Sequence, residues 1–290
     1  MIDLHVHTTA SDGQYSPSEI MEKAAAAGIS VLAITDHDTF SGLEEGRAAA
    51  DKFGIRFVPG IELNIEWHSG EFHLLGLGFS GISSSLRAVT ERLVESRNSR
   101  NARIIEKMNQ DGVPISMEEM TADFPGTVIG RPHFAAELVK HNVVKNRQQA
   151  FDRYLARGKP WYAERTAANL DEAVAAINES GGIPVIAHPM SLYLSWGKML
   201  PALEDIRSRG VEGLEAFHPG ARMTDCLRLE EAAVKYGFFV TAGSDFHGEK
   251  VRADRKLGHT CGNRKISDSF WTDGLEPALR NRKNSFFSAQ

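Results

Sequence analysis

The sequence predicts an α/β fold in which a parallel sheet, covered by helices, closes into a barrel. Three observations predict it. Short apolar segments with the character of buried strands alternate with helical segments, helix start and stop signals separate them, and histidines and carboxylates recur just after the strands. Continuous apolar strands are typical of parallel sheets buried on both faces, and the number of strand–helix units favours closure into a barrel.

The first 85 residues contain four predicted strands and two helices. Asp3 to Thr8 alternates as a strand does, and Ser16-Pro17-Ser18-Glu19 is a capping box with proline at the first helical position. That helix runs to Gly28. The other elements predicted here are a strand at 31–35, a helix at 41–53 and strands at 56–62 and 71–77.

The last part of the chain returns to the same alternation. It predicts helices at 173–179, 203–208 and 226–236 and strands at 183–187, 211–217 and 238–242. We therefore expect a barrel domain made of residues 1–85 and 166–290.

Residues 86–165 interrupt this rhythm and are predicted to form a helical insertion domain that covers the active site. A long polar helix is expected to end near Gly112, and shorter helices follow at about 114–119, 132–141 and 148–156. This segment holds 14 Lys or Arg against 10 Asp or Glu, whereas the remainder holds 19 against 28. An acidic body with a basic segment suits an enzyme that holds cations in one part and an anionic substrate in the other.

Composition excludes several classes of protein. A net charge of −5 argues against a protein that coats nucleic acid with a general basic surface. Cys226 and Cys261 lie outside any CxxC spacing, so neither a disulfide scaffold nor a sulfur-ligated metal is indicated. We found no leader-like N-terminus and no apolar run long enough to cross a bilayer. We expect a cytoplasmic protein with no membrane or obligate protein partner.

Most of the predicted strands have a histidine or a carboxylate at or just beyond their C-terminal ends, and these positions predict a multinuclear metal site. His5 and His7 lie on one face of a strand because side chains repeat every two residues there, and Asp245 and His247 repeat this geometry. In α/β barrels the loops after the strands converge on one mouth. The candidate ligands are His5, His7, Asp12, His37, Glu62, His73, His188, Asp245 and His247. Such nitrogen and oxygen ligands suit Mn²⁺, Zn²⁺ or Fe²⁺ alike.

The order of these motifs resembles the PHP (polymerase and histidinol phosphatase) superfamily of metallophosphoesterases. The matching segments are His5-Val6-His7, Thr35-Asp36-His37-Asp38, Gly60-Ile61-Glu62, His73-Leu74-Leu75-Gly76, Ala187-His188-Pro189 and Ser244-Asp245-Phe246-His247. The resemblance implies a distorted, seven-stranded TIM-like β/α barrel that binds two or three divalent ions. It implies one ion on His5, His7, Glu62 and Asp245, a second on Glu62, His73 and His188, and a third on Asp12, His37 and His247.

A second set of residues is similar to the subgroup of 3',5'-nucleoside bisphosphate phosphatases. It comprises Gly130-Arg131-Pro132-His133, Ala150-Phe151-Asp152-Arg153-Tyr154-Leu155 and Gly158-Lys159-Pro160. Pro132 suits a helix start, which places Arg131 at an anion-binding terminus where it can grip phosphate bidentately. Lys159 would add a point charge, and His133 and His218 would orient phosphate or protonate the leaving oxygen. A helix cap, a loop lysine and structural histidines are the alternatives.

The expected reaction is hydrolysis of the 3'-phosphate of a small 3',5'-bisphosphonucleotide, such as adenosine 3',5'-bisphosphate, by metal-activated hydroxide. Three alternatives remain open. The first is 5'-3' exonuclease activity on short RNA or DNA oligonucleotides, and the second is hydrolysis of histidinol phosphate. The third is a structural or regulatory PHP module without activity, which the intact ligand set disfavours. An amidohydrolase shares the paired histidines, but no matching bridging lysine is evident.

Overall fold

Seven strands form the central sheet of the computed structural model, which describes the backbone of residues 1–288 and the side chains of residues 1–282. The strands are β1 (Ile2–Asp3), β2 (Val31–Ile34), β3 (Arg56–Ile65), β4 (Phe72–Leu77), β5 (Ile183–Ile186), β6 (Gly213–Phe217) and β7 (Phe239–Ala242), and they lie in chain order. A two-stranded ladder, β8 (His259–Thr260) with β9 (Arg264–Lys265), lies apart from them.

Ten α-helices in the described part of the chain surround the sheet or form the insertion. They are α1 (Pro17–Ala26), α2 (Leu43–Phe53), α3 (Ser84–Gln110), α4 (Met117–Asp123), α5 (Arg131–Lys140), α6 (Arg147–Ala150), α7 (Leu170–Glu179), α8 (Trp196–Ser208), α9 (Met223–Tyr236) and α10 (Glu276–Ser288). The predicted capping box of α1 is confirmed, because Ser16 accepts from the Glu19 amide and Glu19 accepts from the Ser16 amide. The predicted helix at 148–156 is α6 followed by a π-helical turn, Phe151–Leu155. Among the described residues, no helix combines the length and the apolar character needed to cross a membrane.

The sheet closes into the predicted distorted barrel through a contact between its two edges. Val6 pairs with Phe246 in a parallel bridge, and the His7 amide donates to the Phe246 carbonyl at 3.0 Å. The predicted strand 3–8 is shorter than expected. The Thr35 hydroxyl lies 3.2 Å from both the amide and the carbonyl of Val6. At Val6 a side chain therefore bonds to backbone groups that would bond to backbone in a regular strand.

One strand departs from the parallel sheet that the sequence predicts. β4 runs antiparallel to both β3 and β5, whereas the other neighbours are parallel. The physical reason is the connection of six residues, 66–71, which is too short for the crossover that a parallel neighbour requires. The start of β4 therefore lies at the mouth formed by the ends of the parallel strands.

Two hydrophobic clusters fill the barrel and a third fills the insertion. The long helix α3 serves both regions. Leu86 and Leu93 pack in the barrel core, whereas Ile104 and Met108 pack in the insertion core. The division of the chain at residues 86 and 165 stays a prediction, but by packing the first turns of α3 belong with the barrel.

Candidate metal centre

The nine predicted ligands converge at the mouth of the barrel, although they come from positions 5 to 247 of the chain. Ligand atoms within each of four overlapping groups lie within 4.8 Å of one another. The groups are His7, Asp12, His37 and His247; His5, His7 and Asp245; His5, Glu62 and His188; and His37, Glu62 and His73. The convergence follows from the barrel, because parallel strands deliver the residues after their ends to one place.

His73 reaches this mouth in a different way from the other histidines. It is the second residue of β4, near the start of a strand and not at its end. Because β4 is antiparallel, its beginning lies beside the ends of its parallel neighbours. The sequence pattern singled out His73, and the antiparallel direction of β4 brings it to the mouth.

Glu62 occupies the middle of the cluster. One carboxylate oxygen, Oε1, lies 2.9 Å from His73 Nδ1 and 2.9 Å from His188 Nε2. The other, Oε2, lies 3.0 Å from His37 Nδ1. Burial alone would raise the pKa of Glu62, but the surrounding histidines, His37 first, hold it well below its ordinary value. Glu62 is therefore a carboxylate able to join two cations.

Three of the histidines are oriented by bonds from their Nδ1 atoms. His5 Nδ1 lies 3.0 Å from Glu215 Oε1, and His247 Nδ1 lies 2.9 Å from the Asp245 carbonyl. His188 Nδ1 lies 3.0 Å from the Ser191 hydroxyl, which itself donates to the Glu71 carbonyl. Nδ1 donates in each pair. The Glu215 carboxylate and the Asp245 carbonyl can only accept, and the Ser191 hydroxyl already donates its hydrogen to Glu71. This tautomer leaves an unprotonated Nε2 pointing into the cluster, as metal ligation requires.

The donor set fits divalent cations and is poorly satisfied without them. His7 Nδ1, His37 Nδ1 and Glu62 Oε2 are buried and form no hydrogen bond in the described part of the chain. His5 Nε2 and His7 Nε2 lie only 3.2 Å apart. Lone pairs that face one another at such distances repel unless a proton or a cation lies between them. All nine ligands offer nitrogen or oxygen, which suits Mn²⁺, Zn²⁺ or Fe²⁺.

The electrostatic field of the cluster is strongly negative. Burial lowers the pKa of His7, but hydrogen bonds to Asp245 and Glu62 and the charges of Glu62 and Asp12 raise it to about 10. Burial would raise the pKa of Asp245, yet His247 and other nearby histidines hold it well below its ordinary value. Such a field attracts protons or cations. The assignment of ligands to individual ions stays a prediction, because His5, His7 and His37 each belong to two of the four groups.

A cavity of about 950 Å³ opens over the cluster and contains two of the four predicted substrate contacts. Arg131 lines it and pairs with Glu71 at 2.9 Å, and His218 also lines it. The His218 Nδ1 accepts from the Gly220 amide, so the neutral ring carries its proton on Nε2, 3.3 Å from Asp245 Oδ2. Both residues border the cavity, and their roles in binding phosphate stay predictions.

The other two predicted contacts lie away from the cavity lining. His133 is buried and its Nδ1 accepts from the Gly130 amide at 2.8 Å, which caps the start of α5. Lys159 is an exposed loop residue. Their placement matches the structural-histidine and loop-lysine alternatives, and their roles in binding phosphate stay predictions without support from this geometry.

The structure adds charged residues that the sequence reasoning missed. Four further arginines from the insertion line the cavity, namely Arg97, Arg100, Arg147 and Arg165. Asp38 pairs with Arg97 and, at 2.9 Å, with Arg165. Glu215 was also missed, although an acidic residue inside the apolar strand Gly213–Phe217 is a detectable signal. Arg97 and Arg100 lie one turn apart on α3, which marks a basic helix face but does not show what it covers.

Comparisons with known proteins agree with this geometry. The family described as "PHP domain" matches residues 3–173. A 3',5'-nucleoside bisphosphate phosphatase of Chromobacterium violaceum is 32% identical over 94% of this chain and 95% of its own length. A 5'-3' exoribonuclease of Haemophilus influenzae is 34% identical over 84% of this chain and 89% of its own. A solved structure described as an amidohydrolase from Chromobacterium violaceum, with bound sulfate and no metal, superimposes with a TM-score of 0.83, at 32% identity over 97% of this chain and 96% of that one.

Proposed function

We propose, from the premise that this chain belongs to the PHP domain family and is a metal-dependent phosphoesterase, that its substrate is a nucleoside 3',5'-bisphosphate. The 3'-phosphate would enter the metal centre, and the 5'-phosphate would bind the arginines of the insertion. Hydrolysis would release inorganic phosphate and leave a nucleoside 5'-monophosphate.

One observation carries this proposal: a group of arginines faces the same cavity as the metal centre. We call Arg97, Arg100, Arg131, Arg147 and Arg165 the insertion arginines. Asp38 and Glu71 are their acidic partners in the described ion pairs, so the group retains excess positive charge. A cation-holding centre and a guanidinium group in one cavity suit a small molecule that carries two phosphates.

The buried charge of Arg100 is poorly compensated and would be stabilised by an anion. Its side chain is 4% exposed, and in the described residues its guanidinium donates only to the neighbouring Asn101. Burial, and then repulsion from Arg97 and Arg165, hold the pKa of Arg100 well below its ordinary value. A bound phosphate would offset both effects because it brings negative charge and several acceptor oxygens to buried donors.

The residues of the chain contribute to the reaction in distinct ways. Divalent ions held by the nine ligands would lower the pKa of water and offset charge on the phosphoryl oxygens. Glu215, Ser191 and the Asp245 carbonyl hold three imidazoles in the tautomer that ligation needs. Arg131 would fix the second phosphate, and the Nε2 proton of His218 is available at the wall of the cavity for Asp245 or a phosphoryl oxygen.

Adenosine 3',5'-bisphosphate tests the proposal directly. Purified protein, stripped of metal and then supplied with Mn²⁺, should release phosphate and form adenosine 5'-monophosphate, and the stripped protein should not. Chromatography separates this product from the 3'-monophosphate. Absence of metal-dependent release would reject the proposed substrate, and formation of the 3'-monophosphate would reverse the assigned orientation.

Arg131→Ala tests the role of the insertion arginines. We expect kcat/KM for the bisphosphate to fall about tenfold to a hundredfold, because a charge-assisted bidentate contact is lost. Activity on adenosine 3'-monophosphate, which lacks the second phosphate, should fall much less, and metal content should remain. Arg157→Ala is the matched control, because Arg157 is 72% exposed in the same insertion and lies outside the cavity lining. Equal losses on both substrates would remove Arg131 from the 5'-phosphate site.

A second candidate is removal of nucleotides from the 5' end of an oligonucleotide. The observation that favours it is the length of the cavity, which continues past the metal centre to residues 251–255. A relative that matches most of this chain carries the name 5'-3' exoribonuclease. Comparison of rates on the bisphosphate and on a 5'-phosphorylated oligomer separates the two candidates.

A further inference from the structure

A second group of arginines lies across the metal centre from Arg131. Arg252 and Arg255 belong to the segment after β7 and line the same cavity. Arg131 pairs with Glu71, beside the start of β4, whereas Arg252 and Arg255 lie near Asp245, just after β7. β4 and β7 are three strands apart in a closed ring of seven, which is the largest separation possible.

We propose that Arg252 and Arg255 form a second anion subsite, which binds the phosphate that follows the second nucleotide of a short oligonucleotide. This inference rests on the proposed function, because it uses the same metal centre and the same site for the 5'-phosphate. The oligonucleotide would bind with its 5'-phosphate at the insertion arginines, and its 3' part would extend over Arg252 and Arg255.

The two guanidinium groups are placed to accept an anion. Arg255 donates from Nη1 to Asp254 at 2.7 Å, and its Nε lies 3.7 Å from Asp245 Oδ2. Its Nη2 forms no hydrogen bond among the described residues, and a Cβ at Gly220 would lie only 3.1 Å from that atom. Gly220, which also lines the cavity, therefore leaves space beside Nη2 that a side chain would fill. Arg252 makes only long contacts, at 3.4 Å with Asp254 and 3.7 Å with Asp245, and 39% of its side chain is exposed.

Charge balance also favours an anion at this wall. Residues 249–256 contain four Lys or Arg and two Asp or Glu. Asp245 is a predicted metal ligand, so its charge is shared with the cations of the centre and compensates the two arginines only in part. The carboxylate of Asp254 then remains as an acidic partner that both guanidinium groups share, close to Arg255 and more distant from Arg252. A phosphodiester group would bring the further negative charge.

The same bond breaks in both substrates. A water oxygen bonds to phosphorus, the bond from phosphorus to the 3'-oxygen of the first nucleotide breaks, and that oxygen takes a proton. A bisphosphonucleotide then yields inorganic phosphate. An oligonucleotide yields a 5'-monophosphate and a shortened strand that keeps the phosphate at its own 5' end and is a substrate again. Only the oligonucleotide extends to Arg252 and Arg255.

A pair of substrates that differ in one phosphate isolates this subsite. The dinucleotide pApA ends in a 3'-hydroxyl, and pApAp carries the additional 3'-phosphate that the subsite would bind. We expect kcat/KM of the Mn²⁺-loaded protein to be about tenfold higher for pApAp, the size of effect that one charge-assisted contact supplies. Arg252→Ala should bring the ratio towards one, and Arg252→Lys should keep part of it. Lys256→Ala is the control, because it removes an exposed cation of the same segment outside the cavity lining. The same comparison with the deoxyribose forms of the two substrates shows whether the additional phosphate raises kcat/KM for RNA, for DNA or for both.

Binding of a labelled 5'-phosphorylated adenylate tetramer to metal-free protein gives a second readout. Fluorescence anisotropy should show weaker binding by Arg252→Ala and a salt dependence whose slope is smaller by about 0.7, as expected for one lost phosphate contact to a single strand. Equal kcat/KM for pApA and pApAp in the unmodified protein, or an unchanged ratio in Arg252→Ala, would overturn the subsite while activity on the bisphosphate stands. Without activity on any substrate the proposed function fails, and an unchanged salt slope then rejects the subsite independently.

Discussion

Glu215 shows how a single residue outside the ligand set prepares the metal centre. It is 1% exposed in the middle of β6, and its two oxygens have separate tasks. Oε1 accepts from His5 Nδ1 at 3.0 Å, and Oε2 accepts from the His188 amide at 2.7 Å. Burial would raise the pKa of Glu215, but the charges of His5 and other histidines lower it. One carboxylate therefore orients two candidate ligands, which follow β1 and β5.

Glu215→Gln should weaken metal binding more than it weakens the fold. The amide keeps one acceptor oxygen and loses the other, so His5 or His188 loses its orienting bond. We expect metal affinity to fall about tenfold to a hundredfold, as is usual when such a supporting partner is removed. Competition with a chelator, read by elemental analysis, measures this. Glu204→Gln, at an exposed position of α8, is the control. Equal retention of metal by both variants would contradict the role of Glu215.

At the scale of elements, the start of α5 depends on a buried neutral histidine. His133 accepts from the Gly130 amide through Nδ1 and is 6% exposed, so its neutral form is part of the helix cap. Burial lowers the pKa of His133 from 6.5 to about 4. The helix start that the sequence analysis assigned to substrate binding is therefore at least a structural element.

This pKa predicts a specific dependence of stability on pH. The folded state disfavours protonated His133, so its contribution is fully present above the unfolded pKa of 6.5 and is lost as pH falls towards 4. Between pH 7 and pH 5 the free energy of unfolding should fall by roughly 2 kcal/mol through this residue. Denaturant unfolding of metal-free protein measures the loss, which should be smaller in His133→Gln. His68→Gln, at an exposed site, should behave as the parent protein. Identical pH dependence in all three would refute the assignment.

The length of the connection between β3 and β4 determines which residues lie at the mouth of the barrel. It is short, so β4 turns back antiparallel and brings His73 and Glu71 to the same end as the parallel strands. A longer crossover would place the start of β4 at the opposite end of the barrel. The distortion of the barrel is thus the feature that completes the ligand set around Glu62.

For the whole molecule, the candidate metal centre lies where the barrel closes. The candidate ligands include residues that follow the first and the last strands of the barrel, with His5 and His7 close to Asp245 and His247 where Val6 pairs with Phe246. Cations held there would join the first and last strands of the ring. Any ligand that binds only the folded state stabilises it, by about 2.7 kcal/mol at a hundredfold excess over Kd.

Removal of metal should therefore lower the melting temperature. We expect a decrease of several degrees on treatment with a chelator and recovery when Mn²⁺ is restored, because each kcal/mol corresponds to roughly 2–4 °C in a chain of about this size. Differential scanning calorimetry measures the shift. Glu62→Gln removes the central ligand and should abolish most of the response. A melting temperature that is indifferent to chelator and to Mn²⁺ would argue against cations at this centre.

The sequence by itself determined the alternation of strands and helices, the interruption by a helical segment and the identity of the nine candidate ligands. These features are local, because helix caps, apolar periodicity and the residues that follow each strand depend on positions close together in the sequence. The sequence also pointed to Arg131, since a proline beside it marks a helix start.

Tertiary structure alone decided which side chains share the cavity. It placed His133 and Lys159 outside the cavity lining and brought the insertion arginines to the same cavity as Arg252 and Arg255. It also placed Glu215 where it bonds to both His5 and His188. Contacts between residues far apart in the chain depend on strand direction and on how helices pack over the barrel. Neither is encoded by spacing within a short segment, so a basic helix face and an acidic residue in an apolar strand acquire their meaning only in the folded molecule.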